Sequence, residues 1–191
     1  MSRADVRSLV LGQLGFSWWD LSTHLDGLTD EEYRWQPAPG ALSVVRRSET
    51  TRRVTGAGEW VAEWPRGGTE WTRGDDDPGV RTIGWLVTHL VEVFAERWEW
   101  TFGGHRLRRD DIEVHPTAHA GVAALTDVVE RWQRDLAALD AGRFWTVGLS
   151  QATEIDAQAP FAHLVLHVNR ELVHHGAEIC VLRDLHRVRA G

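Results

Sequence analysis

HVNRELVHHGAEICVLRDL, residues 167–185, sets three histidines and two glutamates among leucines, valines and an isoleucine. Read as a helix, it places His167, Glu171, His174, His175 and Glu178 at i, i+4, i+7, i+8 and i+11, along one face. Leu164 and Leu182 extend that side, so part of the stripe should face inward. Pro160 suits a first helical turn, and the helix is expected over about 160–185. Burying a carboxylate and imidazoles costs several kcal/mol unless they are paired or bound to metal.

Three more helices are expected upstream. The first spans about 4–25, with Val6, Leu9, Val10, Leu14, Trp18, Leu21 and Leu25 near helical spacing; Ser2 can cap it and Asp26-Gly27 ends it. The second spans about 83–102, up to Gly103-Gly104. The third spans about 118–139, with Val122, Leu125, Val128, Val129, Trp132, Leu136 and Leu139 inward. Between the first two, Thr29 and Glu32 form a capping box for one or two turns, stopped by Pro37 and Pro39. Residues 38–78 read as irregular, too long for an inert loop, and could hold a short hairpin or cover one end of the molecule. The expected fold is all-α: one domain over 1–191, a four-helix bundle with a long irregular connection between helices 1 and 2, which permits a crossover.

Composition narrows the chemistry. All 21 basic residues are arginine, which excludes Schiff-base catalysis and a Walker-type phosphate loop. The net charge of −7 argues against nucleic acid as a partner. Arg46, Arg47, Arg52 and Arg53 make one local basic patch, read first as a solvated loop. No apolar run reaches the ~18 residues of a membrane span, and MSRADVRSLV lacks the apolar stretch and small-residue cleavage site expected of a signal peptide. The single cysteine, Cys180, excludes an intrachain disulfide and suits a reducing compartment, so a cytoplasmic location is expected. Of the 11 tryptophans, Trp18, Trp85, Trp98 and Trp132 fit helix core positions. Trp35, Trp60, Trp64 and Trp71 belong with the irregular connection, as loop anchors or the mouth of a pocket.

Glu171 and His175, one turn apart, can offer an oxygen and a nitrogen to one ion. A third donor must come from a facing helix. His89, flanked by Leu86, Leu90 and Val93 in the second helix, is the candidate. Two histidines and a carboxylate leave positions open, as catalytic sites do. The plainer readings compete: a lone histidine is often a hydrogen-bonded core residue, and a Glu-His pair on a helix is often surface decoration. His24, His105, His115, His119, His163 and His186 show no comparable arrangement.

Together, TIGWLVTHL (82–90), the stretch at 167–185 and LDGLTDEEYRWQPAPGALSVVRR (25–47) resemble the DinB-like superfamily of helical metalloproteins. That resemblance implies a four-helix bundle with one divalent metal, usually held by three histidines, which fall on His89, Glu171 and His175. Glu171 departs from the three-histidine pattern. The resulting His, Glu, His set resembles that of the metal-binding domain of mycothiol-dependent maleylpyruvate isomerase. Many members carry glutamine where this chain has Glu178.

The resemblance implies a metal facing a low-molecular-weight thiol such as mycothiol, which ionises and attacks an electrophilic small-molecule substrate. Zinc leads among the metals, with nickel, iron or manganese as alternatives. Glu178 and His174 are candidates for moving protons, or for orienting a ligand instead. Cys180 reads as a buried filler. A homodimer is compatible with the chain. Two other readings stand beside the thiol enzyme: a hydrolase or specialised-metabolism enzyme that activates water, and a non-catalytic metal-binding stress protein.

Overall fold

Where the sequence is periodic, long helices form. A computed structural model describes residues 3–65 and 79–190; Ser2 and Trp71 lie outside the described residues. In chain order the elements are α1 (Arg3–Leu25), a short α2 (Asp30–Arg34), β1 (Val44–Arg46), β2 (Arg53–Thr55), β3 (Trp60–Trp64), α3 (Ile83–Phe102), α4 (Ala118–Ala138), a short α5 (Glu154–Gln158) and α6 (Phe161–Ala190). The helix ends follow local chemistry. Thr82 Oγ1 accepts from Trp85 N at 3.2 Å to open α3. The capping box of Thr29 and Glu32 starts α2 as expected. The last helix outruns its expected end at 185, because Arg187 and Arg189 suit a helix C-terminus and Arg187 reaches Glu32 Oε1 at 3.1 Å.

Contacts between helices fix their directions. Along α1 and α6, Asn169 Nδ2 donates to Val10 O at 2.9 Å, and further on Arg183 Nη1 donates to Asp26 O at 2.9 Å, so the two run parallel. Along α3 and α4, Tyr33 sits against Gly84 and Gly121 near both starts, and Trp98 Nε1 donates to Asp135 Oδ2 at 2.7 Å further on, so these are parallel too. The pairs oppose each other: Phe102, ending α3, packs at 6.3 Å on Phe161, which begins α6. Parallel α3 and α4 require residues 103–117 to travel back along the bundle. Fifteen residues extend up to about 50 Å, ample for a 20-residue helix of about 30 Å. The return crossing is therefore made there, and not by the longer connection between the first two long helices.

That longer connection is not wholly irregular. It folds into a small antiparallel sheet in the order β1-β3-β2, with Val45 opposite Val61 and Val54 opposite Glu63. Strands of three to five residues, two of them with an arginine at one end, carry little alternation to read. The sheet packs on α3 through Trp64, and Trp85 Nε1 donates to Glu63 O at 2.6 Å. The arginine patch serves this layer: Arg47 donates to Gly58 O and Gly56 O, Arg52 to Gly40 O, and Arg46 pairs with Glu59. The bundle core holds Leu14, Leu86, Leu90 and Leu125, with Phe94, Phe102 and Phe161 edge-on to the fully buried Trp132. Leu9, one of the apolar residues near helical spacing in α1, is 59% exposed.

Candidate metal centre

Antiparallel α3 and α6 bring His89 level with Glu171 and His175. Glu171 Oε2 lies 3.2 Å from His175 Nε2 and 3.6 Å from His89 Nε2. One donor atom from each of the three residues falls within 4.8 Å of the others, and all three side chains are buried. Metal–ligand bonds of about 2.0–2.2 Å need donors that converge in this way, so the residues fit a divalent ion. Among the described residues this is the one such group of three.

Aromatic side chains wall the centre. His89 stacks on Trp85 at 5.2 Å and meets Trp64 edge-on at 5.8 Å, while the His89 and His175 rings stand perpendicular at 4.8 Å. Trp85, a core residue in the sequence reading, is thus also a wall of the site, and Trp64 of the connection joins it. Two cations lie against these walls: Arg81 over Trp85 at 5.0 Å and Arg109 over Trp64 at 5.3 Å. No motif signalled Arg81 or Arg109: Arg81 stands four residues before Trp85, just ahead of α3, and Arg109 arrives with the returning segment 103–117.

Burial pushes His89 down to about 4, against the pull of Glu171, so the ring is neutral and able to ligate at neutral pH. Burial also works to raise Glu171, but hydrogen bonds and charge from His175 and His89 outweigh it and hold the carboxyl far below the usual range. For His175 burial acts downward, yet Glu171 and Glu178 carry it upward. Glu92, one turn beyond His89, is fully buried, and burial pushes its carboxyl up to about 7.

The two candidates for proton movement part company. Glu178 is half-buried, with Oε2 3.3 Å from His175 Nδ1, on the ring edge away from Glu171. His174 is exposed, its ring tilted against His175 at 4.7 Å. His167 Nδ1 stands 3.8 Å from Glu171 Oε1, which Arg170 also contacts. Glu92 escaped the sequence reading, although its i, i+3 spacing from His89 repeats that of His175 and Glu178.

Residues 13–179 match a family model described as the DinB superfamily. No curated protein and no solved structure matches the chain. Among the described residues no helix is long and apolar enough to cross a membrane.

Proposed function

The chain belongs to the DinB superfamily, and from that premise we propose a metal-dependent enzyme that activates a low-molecular-weight thiol, mycothiol-like, for transfer to an electrophile or for its isomerisation. One observation carries the reading: two histidines and one carboxylate from facing helices converge in a buried, tryptophan-walled site, three donors among the described residues. A divalent ion held there, zinc first and nickel, iron or manganese after it, supplies the positive charge that lets a small thiol ionise at neutral pH. His89, Glu171 and His175 would hold it.

The rest is done by the chain's own groups. Trp64 and Trp85 exclude water, which favours attack by a thiolate over hydrolysis. Glu178 orients His175 through Nδ1 and leaves Nε2 toward Glu171. His174, exposed with its ring against His175, would pass the thiol proton to solvent. Arg81 and Arg109 supply positive charge that suits an anionic substrate. Cys180 is half-buried and burial pushes its thiol up, so the nucleophile comes from outside the chain. This ligand set is also the basis for likening the site to mycothiol-dependent maleylpyruvate isomerase.

The test is metal analysis of native protein, followed by assay of the loaded protein with a small thiol and a general electrophile. Turnover that requires the thiol is the expected result. Turnover without thiol would replace the reading with a water-activating hydrolase. Metal binding without any turnover would leave a non-catalytic metal protein.

A further inference from the structure

Glu92 lies one turn after His89 on α3 and is fully buried. A carboxylate in such a place needs donors around it. Thr55 Oγ1 of β2 supplies one, 2.6 Å from Glu92 Oε1. Thr55 Oγ1 in turn accepts from Trp64 Nε1 of β3 at 2.9 Å. An indole N–H can only donate, so the threonine proton is left for Glu92, and the chain of hydrogen bonds runs one way from sheet to helix. Glu92 Oε2 is left over. It is buried without a hydrogen bond and lies 4.0 Å from His89 Nδ1, which is also buried without one.

The opposite edge of His89 faces a rival. Nε2 is 3.6 Å from Glu171 Oε2. A proton on Nε2 would be drawn to that carboxylate, and a protonated nitrogen cannot ligate. A neutral imidazole has one proton, so whichever carboxylate takes it fixes the tautomer. We propose that Glu92 is a positioning residue whose Oε2 accepts the His89 Nδ1 proton, keeps Nε2 free to ligate, and is itself held by Thr55 and Trp64 of the sheet. Ligating histidines commonly donate their second N–H to a carboxylate in this way. The pairing is repeated on α6, where His175 Nδ1 meets Glu178 at the same i, i+3 spacing. The sheet between the first two long helices thus acquires a task at the metal centre.

The purpose of this contact rests on the metal reading above, whereas the tautomer belongs to the protein alone. The experiment uses the full chain with Glu92→Leu, Glu92→Gln and Thr55→Val. Zinc affinity is measured by competition with a chromophoric chelator. The proton position on His89 is read by nitrogen NMR of the metal-free protein, and folding by thermal melting. Expected are Nδ1–H on His89 in the wild type and Nε2–H in Glu92→Leu, with zinc binding weakened roughly 10–100-fold. Glu92→Gln, whose amide oxygen still accepts, should lose less, and Thr55→Val a few-fold. The melting temperature of metal-free Glu92→Leu should hold or rise, since an apolar side chain replaces a buried carboxyl; a purely structural role predicts a fall and no tautomer change. Should Glu92→Leu fail to fold, the Gln and Val variants carry the comparison. Wild-type His89 protonated on Nε2, or zinc affinity in folded Glu92→Leu within about threefold of wild type, overturns the proposal. If wild type binds no zinc, the metal reading falls, and the tautomer still decides the role of Glu92.

Discussion

Glu171 brings the only carboxylate oxygen to the three-residue group, and its charge is what a glutamine cannot supply. Glu171→Gln keeps size and helix propensity, so the helix should remain folded by circular dichroism while metal content by mass spectrometry drops strongly. Glu171→His restores three nitrogens and should keep the metal. It raises the charge of the site by one unit and so should lower the pKa of a coordinated thiol further. Equal metal in wild type and the Gln variant would remove Glu171 from the ligand set and turn attention to His167, whose Nδ1 is 3.8 Å from Glu171 Oε1, or to His174.

At the scale of elements, the short α2 does more than its five residues suggest. Glu32 is buried beneath Arg183 of α6, whose Nε donates to it at 3.0 Å, and Arg187 adds a second contact. Burial works to raise its carboxyl, but Arg183 and Thr29 prevail and hold it down at about 2. A depressed folded pKa contributes stability that is complete above the ordinary value of about 4.5 and is lost as pH falls toward 2. Urea midpoints should therefore fall between pH 5 and pH 2.5 in the wild type. Glu32→Gln should be about 3–5 kcal/mol less stable at pH 7, because Arg183 is left buried without its partner, and its acid slope should be shallower. An identical slope in both proteins would remove Glu32 from the clamp.

The next residue, Tyr33, wedges the starts of α3 and α4 apart by its own width. A Cβ on Gly121 would stand 2.4 Å from its Oη, and one on Gly84 would stand 2.8 Å from Cε1. Gly121→Ala should cost about 1–3 kcal/mol by overpacking, despite the better helix propensity of alanine. A thermal melt unchanged or raised by this substitution would show that the wedge has room to give.

Across the whole molecule, the metal centre joins two helices that are remote in sequence. Any ligand bound by the folded state alone stabilises it, by about 2.7 kcal/mol at a hundred times its Kd. For a chain of this size that is a rise in Tm of roughly 5–10 °C. Zinc should give such a rise in the wild type, a chelator should reverse it, and His89→Ala should abolish it. A rise that survives in His89→Ala would place the bound ion elsewhere.

The sequence by itself determined the four long helices, because a helix writes its buried face into a period of 3.6 that needs no neighbour to be read. It also pointed to which residues could share an ion, since the Glu171 and His175 pair is local and His89 stands among apolar neighbours on a helix expected to face it, a choice the superfamily resemblance supported. Tertiary structure alone decided the rest. Strands of three to five residues leave too short an alternation to recognise, so the sheet that carries Thr55 and Trp64 beneath the site emerged only from its pairing. The parallel course of α3 and α4 depends on where residues 103–117 run, and no local pattern records that. Glu92 reads as one more charge on a helix until packing seals it beside His89. Whether a polar side chain is decoration or machinery depends on what is brought against it, and that is a property of the folded chain.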